Sequence, residues 1–263
     1  MSAEGEGGLD PLSDSLSPVD LEGRYSLRVL TVAQAVQKAA LGRWDVPEFQ
    51  REFVWKPAQV CALADSLWRN YPIGAFLLWE PPENGHHRLP KWIADGQQRL
   101  TALCLLRGTE PSWFGRKPEE FRAEIHRRFD IRFDISANGG SPFLIGNDMR
   151  ERQDDFRLLP VARLMAIDAA SESGKGELDS LASELADMGC GGVEELRRRL
   201  SAVSSMRQRE IVAVHIEHKR REDVLEVFER LNSRGMKFRK LLLKMAMEEI
   251  PAAIRGLKAR FKV

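Results

Sequence analysis

Lys91-Trp92-Ile93-Ala94-Asp95-Gly96-Gln97-Gln98-Arg99, followed by the apolar run Leu100-Thr101-Ala102-Leu103-Cys104-Leu105-Leu106, is the stretch on which the reading of this chain turns. Residues 91–94 have the composition of a short strand, and residues 100–106 form an apolar helix that Gly108 stops. A polar pentad joins the two. Upstream, residues 73–79 read as a buried strand and Pro57 as the first residue of a helix, with Val60, Leu63, Ala64, Leu67 and Trp68 at helical spacing. Asn70-Tyr71-Pro72 ends that helix, and residues 80–90, with two prolines and Asn84-Gly85, form a hairpin or long loop. Residues 26–40 suit a short strand entering an amphipathic helix. The order strand, helix, strand, strand, helix predicts an α+β domain.

Downstream, residues 118–128 predict a charged surface helix. Residues 129–135 alternate strictly, with Phe129, Ile131, Phe133 and Ile135 on one face, as a half-buried strand requires. Asn138-Gly139-Gly140 turns that strand towards Phe143-Leu144-Ile145. From Pro160 the pattern is mainly helical, with interruptions at Gly174-Lys175-Gly176 and Gly189-Cys190-Gly191-Gly192 and one late strand at residues 211–216. Helices are expected again at 221–231 and 238–249. The predicted organisation is a tail at 1–23, an α+β domain at 24–155 and a mainly helical region at 156–263, whose late strand is free to return to the first domain's sheet.

The 263 residues carry a net charge of +1, but unevenly. Residues 1–23 hold six acidic groups and no basic one, so they read as a disordered, solvating arm and leave +7 on the remainder. Residues 237–262 alone contribute +6, as a solvated amphipathic face or a phosphate-contacting surface. The longest apolar stretch, residues 73–79, is far short of the roughly 20 residues a membrane helix needs. With no basic N-terminal region to suggest export, and three widely spaced cysteines, the expectation is a cytoplasmic protein without disulfides. No phosphate-binding GxxxxGK[ST] loop, GxSxG elbow, HExxH motif or Cys pair is present. His86 and His87 sit in a solvated loop, and His215 and His218 are three apart on the late strand, facing opposite sides.

The pentad admits two readings. In one it caps a helix, with Asp95 as N-cap and Gln98 closing a capping box. That leaves Gly96, which costs up to about 1 kcal/mol relative to Ala, and Arg99, which is unfavourable by roughly 0.3–1 kcal/mol near a helix N-terminus. In the other an anion sits there: Gly96 admits its close approach, backbone N–H groups point at it, and Arg99 forks onto its oxygens. Phosphate is the obvious candidate. Arg99→Ala is then expected to abolish nucleotide binding with folding nearly unchanged. A second segment, Phe49-Gln50-Arg51-Glu52-Phe53-Val54-Trp55, is either a strand edge with Arg51 paired to a carboxylate or a second phosphate contact made by Arg51 with Gln50 beside it. In a third, Val227-Phe228-Glu229-Arg230-Leu231-Asn232-Ser233-Arg234-Gly235, Asn232 either ends a helix or faces a ligand.

Together these segments resemble the ParB/sulfiredoxin-like N-terminal domain of GmrSD-type modification-dependent restriction enzymes. The matching blocks are Val46-Pro47-Glu48-Phe49-Gln50-Arg51 with Trp55, then Tyr71-Pro72-Ile73-Gly74, Asp95-Gly96-Gln97-Gln98-Arg99-Leu100, and more loosely Val227-Phe228 with Leu231-Asn232 and Gly235. They are in order and span roughly residues 25–245. The resemblance implies a ParB/sulfiredoxin-like mixed sheet with helices and a pentad that contacts a nucleotide or DNA phosphate. It implies a Mg²⁺-dependent nucleoside triphosphatase in which Asp95 holds Mg²⁺ or the nucleotide. Gln97 or Gln98 would position water, and Arg51 and Arg99 would neutralise phosphate charge, with Gln50, Gly96 and Asn232 also at the ligand. Its partner would be modified or foreign DNA. Relatives usually add an HNH nuclease domain with His and Asn around a metal. No such cluster occurs here, so the chain is not expected to cut DNA by itself: either a separate HNH nuclease partner supplies that step, or the chain is a fragment or a stand-alone regulator. The implied role is a specificity or regulatory subunit of a DNA restriction or phage-defence system. The alternative is a non-enzymatic ParB-like module that binds DNA or nucleotide and recruits partner proteins. A sulfiredoxin-like redox enzyme is not expected, because the pentad lacks a suitably placed cysteine.

Overall fold

In the computed structural model, residues 25–46, 50–80, 90–146 and 155–217 are described. Strand β1 (Tyr25–Thr31) runs straight into helix α1 (Val32–Ala40), because Thr31 and Gln34 close a capping box. The helix buries Val32, Ala35, Val36 and Ala39. Strand β2 (Trp44–Asp45) is short, and helix α2 (Pro57–Trp68) starts at the expected proline. Strand β3 spans Phe76–Glu80, β4 spans Lys91–Asp95 and helix α3 spans Gln97–Leu106. Every residue of α3 from Leu100 to Leu106 is buried, as an all-round apolar helix must be.

The chain continues through a 3-10 turn (Ser112–Arg116), α4 (Glu119–Arg128), β5 (Ile131–Asp134), β6 (Phe143–Ile145), β7 (Leu158–Pro160) and α5 (Val161–Ala166). Helices α6 (Glu172–Asp187) and α7 (Val193–Ser204), a second 3-10 turn (Ser205–Gln208) and β8 (Glu210–Glu217) follow. The class is α+β, as expected. One mixed sheet has the order β1-β8-β3-β4-β2, with β8 antiparallel to β1 and parallel to β3, and a smaller antiparallel sheet has the order β6-β5-β7. The late strand is thus an interior strand of the larger sheet. Ile211 and Ala213 join the same core as Leu30, Phe76 and Ile93, so the boundary expected near residue 155 does not divide that sheet.

Three local expectations need correction. The strand expected at 73–79 begins only at Phe76, because Gly74 has φ +83° and the carbonyls of Ile73 and Ala75 are taken by a side chain rather than a ladder. Of the alternating run 129–135, only residues 131–134 are strand, although all four apolar side chains are buried; Phe129 ends α4. Gly174 does not interrupt a helix. It lies in the first turn of α6, donates its N–H to the Ser171 hydroxyl, and packs so closely on the Asp168 carbonyl that a Cβ has no room. The tail at 1–23, the loop 81–89, His218 and the helices expected beyond residue 220, with Asn232 and the basic segment 237–262, lie outside the described residues.

Candidate functional site

The pentad does not form a capping box. Asp95 is the last residue of β4 and Gly96 is the N-cap of α3, in the left-handed region at φ +97° with no side-chain cap. A Cβ on Gly96 would lie 2.6 Å from Cδ1 of Phe76, so this position needs glycine for both its backbone and its packing. The reason Gln98 is not a cap is its longer reach. Its Oε1 accepts the Val54 N–H at 2.8 Å and its Nε2 donates to the Glu52 carbonyl at 3.0 Å, with the side chain buried. One amide thereby stands in for a strand partner.

Two more glutamines do the same. Gln97 donates to the Arg51 carbonyl at 2.8 Å, and Gln50 donates to the Ile93 carbonyl at 2.6 Å. The segment 50–54 has no strand of its own, so these side chains fasten its backbone to the β4–α3 junction. Arg99 fastens the other flank. One Nη donates to the Ile73 carbonyl at 2.6 Å, the other to the Ala75 carbonyl at 2.8 Å and more weakly to Asp95 at 3.3 Å, while the guanidinium lies over Phe76. Gly74 is again required, since a Cβ there would strike the guanidinium. Three acceptors offset the unfavourable placement of a cation at a helix start.

The candidate residues therefore divide between two faces. Gln50, Arg51 and Gln97 line a cleft of about 570 Å³, together with Phe53, Trp113 and Phe114 and the polar ends of Arg116 and Lys117. Asp95 and Arg99 face the 73–75 loop, and they and the buried Gln98 are not among the cleft walls. Within the cleft, Arg116 is held by both oxygens of Asp45 (2.8 and 3.0 Å) and by the Val46 carbonyl, and Lys117 pairs with Glu52 at 2.7 Å. Arg51 is exposed, and among the described residues its side chain has no hydrogen-bond or ion-pair partner. It is the cleft's one unneutralised cation among the described residues.

The 3-10 turn Ser112–Arg116 and Lys117 were not singled out as site residues from the sequence. Their signal was there: Trp113-Phe114-Gly115-Arg116-Lys117 sets two aromatics against two cations. Among the described residues, no three His, Cys, Asp or Glu side chains converge as a metal site. Cys61, Cys104 and Cys190 are not in disulfides, and burial pushes the Cys104 thiol far above its ordinary range, which disfavours the thiolate. Among the described residues, no helix is long and apolar enough to cross a membrane.

Comparison with known proteins adds two findings. The pattern of the GmrSD restriction endonuclease, N-terminal domain, matches residues 32–243. An uncharacterized protein of Methanocaldococcus jannaschii is 31% identical over 137 residues, which cover 44% of this chain and 23% of that protein. The chain thus spans under a quarter of that relative's length.

Proposed function

This chain belongs to the GmrSD restriction endonuclease N-terminal domain family, and on that premise we propose that it is a component of a restriction or phage-defence system, a nucleotide-binding specificity or regulatory subunit acting on DNA. The observation that carries the reading is the cleft. It has aromatic walls, glutamines fixed by backbone hydrogen bonds, and one cation, Arg51, without a partner among the described residues while its neighbours Arg116 and Lys117 are neutralised. Such a combination suits a nucleotide, with the base against Trp113, Phe114 or Phe53 and a phosphate against Arg51.

Among the described residues no three His, Cys, Asp or Glu side chains converge to hold a metal by themselves, but Mg²⁺ is commonly held by one carboxylate together with substrate phosphates and water. Asp95, the pentad's one carboxylate, has a side chain 45% exposed and bonded to Arg99 through one oxygen, but it faces the 73–75 loop and not the cleft, so it does not fit that role for a nucleotide held against Arg51. The chain's own residues hold the 50–54 backbone through Gln97 and Gln98 and hold the 73–75 loop through Arg99. Among the described residues, the Oε1 of Gln97 is the one pentad side-chain amide oxygen with no protein donor, and so the group able to orient water.

The second reading, a non-enzymatic module that binds nucleotide or DNA and recruits a partner such as a separate HNH nuclease, draws support from the same geometry. Gln98 is spent at both ends and Asp95 is paired, so little of the pentad is left for chemistry. Phosphate release by the purified chain with Mg²⁺ and each nucleoside triphosphate, with and without DNA, separates the two. Release that Arg51→Gln abolishes supports the enzyme. Nucleotide or DNA binding without release supports the module, and no binding of any nucleotide or of DNA overturns both.

A further inference from the structure

Helix α3 starts at the pentad, and at about 1.5 Å per residue its far end lies roughly 15 Å away. Immediately beyond that end, Arg107 and Arg207 come together beside Asp168, between α3, the end of α5 and the second 3-10 turn. Nε and Nη1 of Arg107 are buried and have no protein acceptor, and its guanidinium makes no hydrogen bond or ion pair among the described residues. Arg207 is 17% exposed. One of its Nη atoms donates to the Ala166 carbonyl at 3.2 Å, but its buried Nε has no acceptor among the described residues.

Asp168 does not balance the pair. Its Oδ1 is 3.9 Å from Arg207, beyond hydrogen-bond distance, and already accepts the Ala170 N–H. Burial, and after it the charge of Arg207, hold the pKa of Arg107 below the ordinary arginine value, as two guanidinium groups in one partly buried place require. A helix C-terminus favours one nearby cation, but that accounts neither for two cations together nor for three buried N–H groups without acceptors. Buried polar groups in folded proteins nearly always find partners. Arginine cannot escape the cost by losing its proton.

We propose that Arg107 and Arg207 form an oxyanion site that takes a phosphate group, separate from the cleft at the other end of α3. A phosphate oxygen set satisfies several N–H groups at once and cancels the excess charge, and it comes either from free phosphate or from a nucleic-acid backbone. The site does not depend on the cleft binding nucleotide.

The test is a pair of measurements on the full chain carrying Arg51→Gln, which removes the cleft's cation. Thermal unfolding is compared in inorganic phosphate and in chloride at equal ionic strength, and duplex DNA binding is followed by anisotropy across a salt series. Phosphate should raise the melting temperature, and adding Arg107→Gln or Arg207→Lys should remove that rise. Arg107→Gln should melt no lower than its parent in chloride, since it relieves repulsion, and Arg207→Lys keeps a donor for Ala166. If the phosphate belongs to DNA, Arg107→Gln also makes the dependence of log K on log salt shallower by about one. Loss of the thermal shift with an unchanged salt slope assigns the site to free phosphate. A shift that survives both substitutions, or no shift and no change of slope, overturns the proposal.

Discussion

Replacing Arg99 by alanine tests most directly what the structure says about the pentad. From sequence, the residue faces ligand and its loss leaves folding nearly intact. In the structure it ties two backbone carbonyls and Asp95 together across Phe76, with only 19% of its side chain exposed. A hydrogen bond from a charged donor contributes about 1.5–3 kcal/mol when buried. Ala75 and Asp95 are open enough for water to replace part of what is lost, so their share falls towards the surface range of about 0–1 kcal/mol each. Together with roughly 0.5–1 kcal/mol for the ring contact and the fuller value for Ile73, Arg99→Ala is expected to cost about 3–4 kcal/mol. That is a large part of a typical stability of about 5–15 kcal/mol. Arg99→Lys keeps the charge but cannot fork across two carbonyls, and should fall between. Urea unfolding of the three proteins, with nucleotide affinity measured at a temperature where each is folded, gives both numbers. A stability change below about 0.5 kcal/mol with nucleotide binding abolished would refute the structural role and return Arg99 to the ligand.

Three further outcomes follow from the same geometry. Gln98→Ala strands the Val54 N–H and the Glu52 carbonyl and should cost about 2–4 kcal/mol in urea unfolding; because it frees the backbone that carries Arg51, nucleotide affinity should fall with it. Gly96→Ala meets both a positive φ and the Phe76 ring, and should lower stability by more than about 1 kcal/mol, whereas the same change at an unstrained position with room for a methyl stabilises by about 0.4–1 kcal/mol; an equally stable variant would show that the β4–α3 junction can move. Burial opposes the Glu110 carboxylate, but hydrogen bonds from His126 and Arg122 outweigh it and hold its pKa below the ordinary glutamate value. The stability it contributes is therefore present above the unfolded-state pKa and is lost as pH falls through the lower folded value. Melting curves of the wild type and Glu110→Gln should converge on acidification, and a constant gap would exclude the linkage.

Much of the local structure was legible because it depends on near neighbours. Thr31 with Gln34, Pro57, Gly108 and the Asn138–Gly140 turn each act within a few residues, and the elements they punctuate stand where periodicity placed them. The pentad was recognisable as special for a sound reason: Gly96 and Arg99 are poor choices for an ordinary helix start. What made them acceptable was not legible. Their compensation lies in Phe76 and in the carbonyls of Ile73 and Ala75, about 20 to 26 positions away in the chain, and the partners of Gln98 are 44 and 46 positions away.

Composition, periodicity and turn chemistry thus determined the class, most of the elements and the segments worth attention, since each reflects interactions inside a short window. Tertiary structure decided the rest. It put β8 between β1 and β3, turned Gln97, Gln98 and Arg99 into ties to distant backbone, neutralised Arg116 and Lys117, and left Arg51 without a partner among the described residues. The physical reason is that a polar side chain takes whichever donor or acceptor the fold brings within about 3 Å, and only packing determines which one that is.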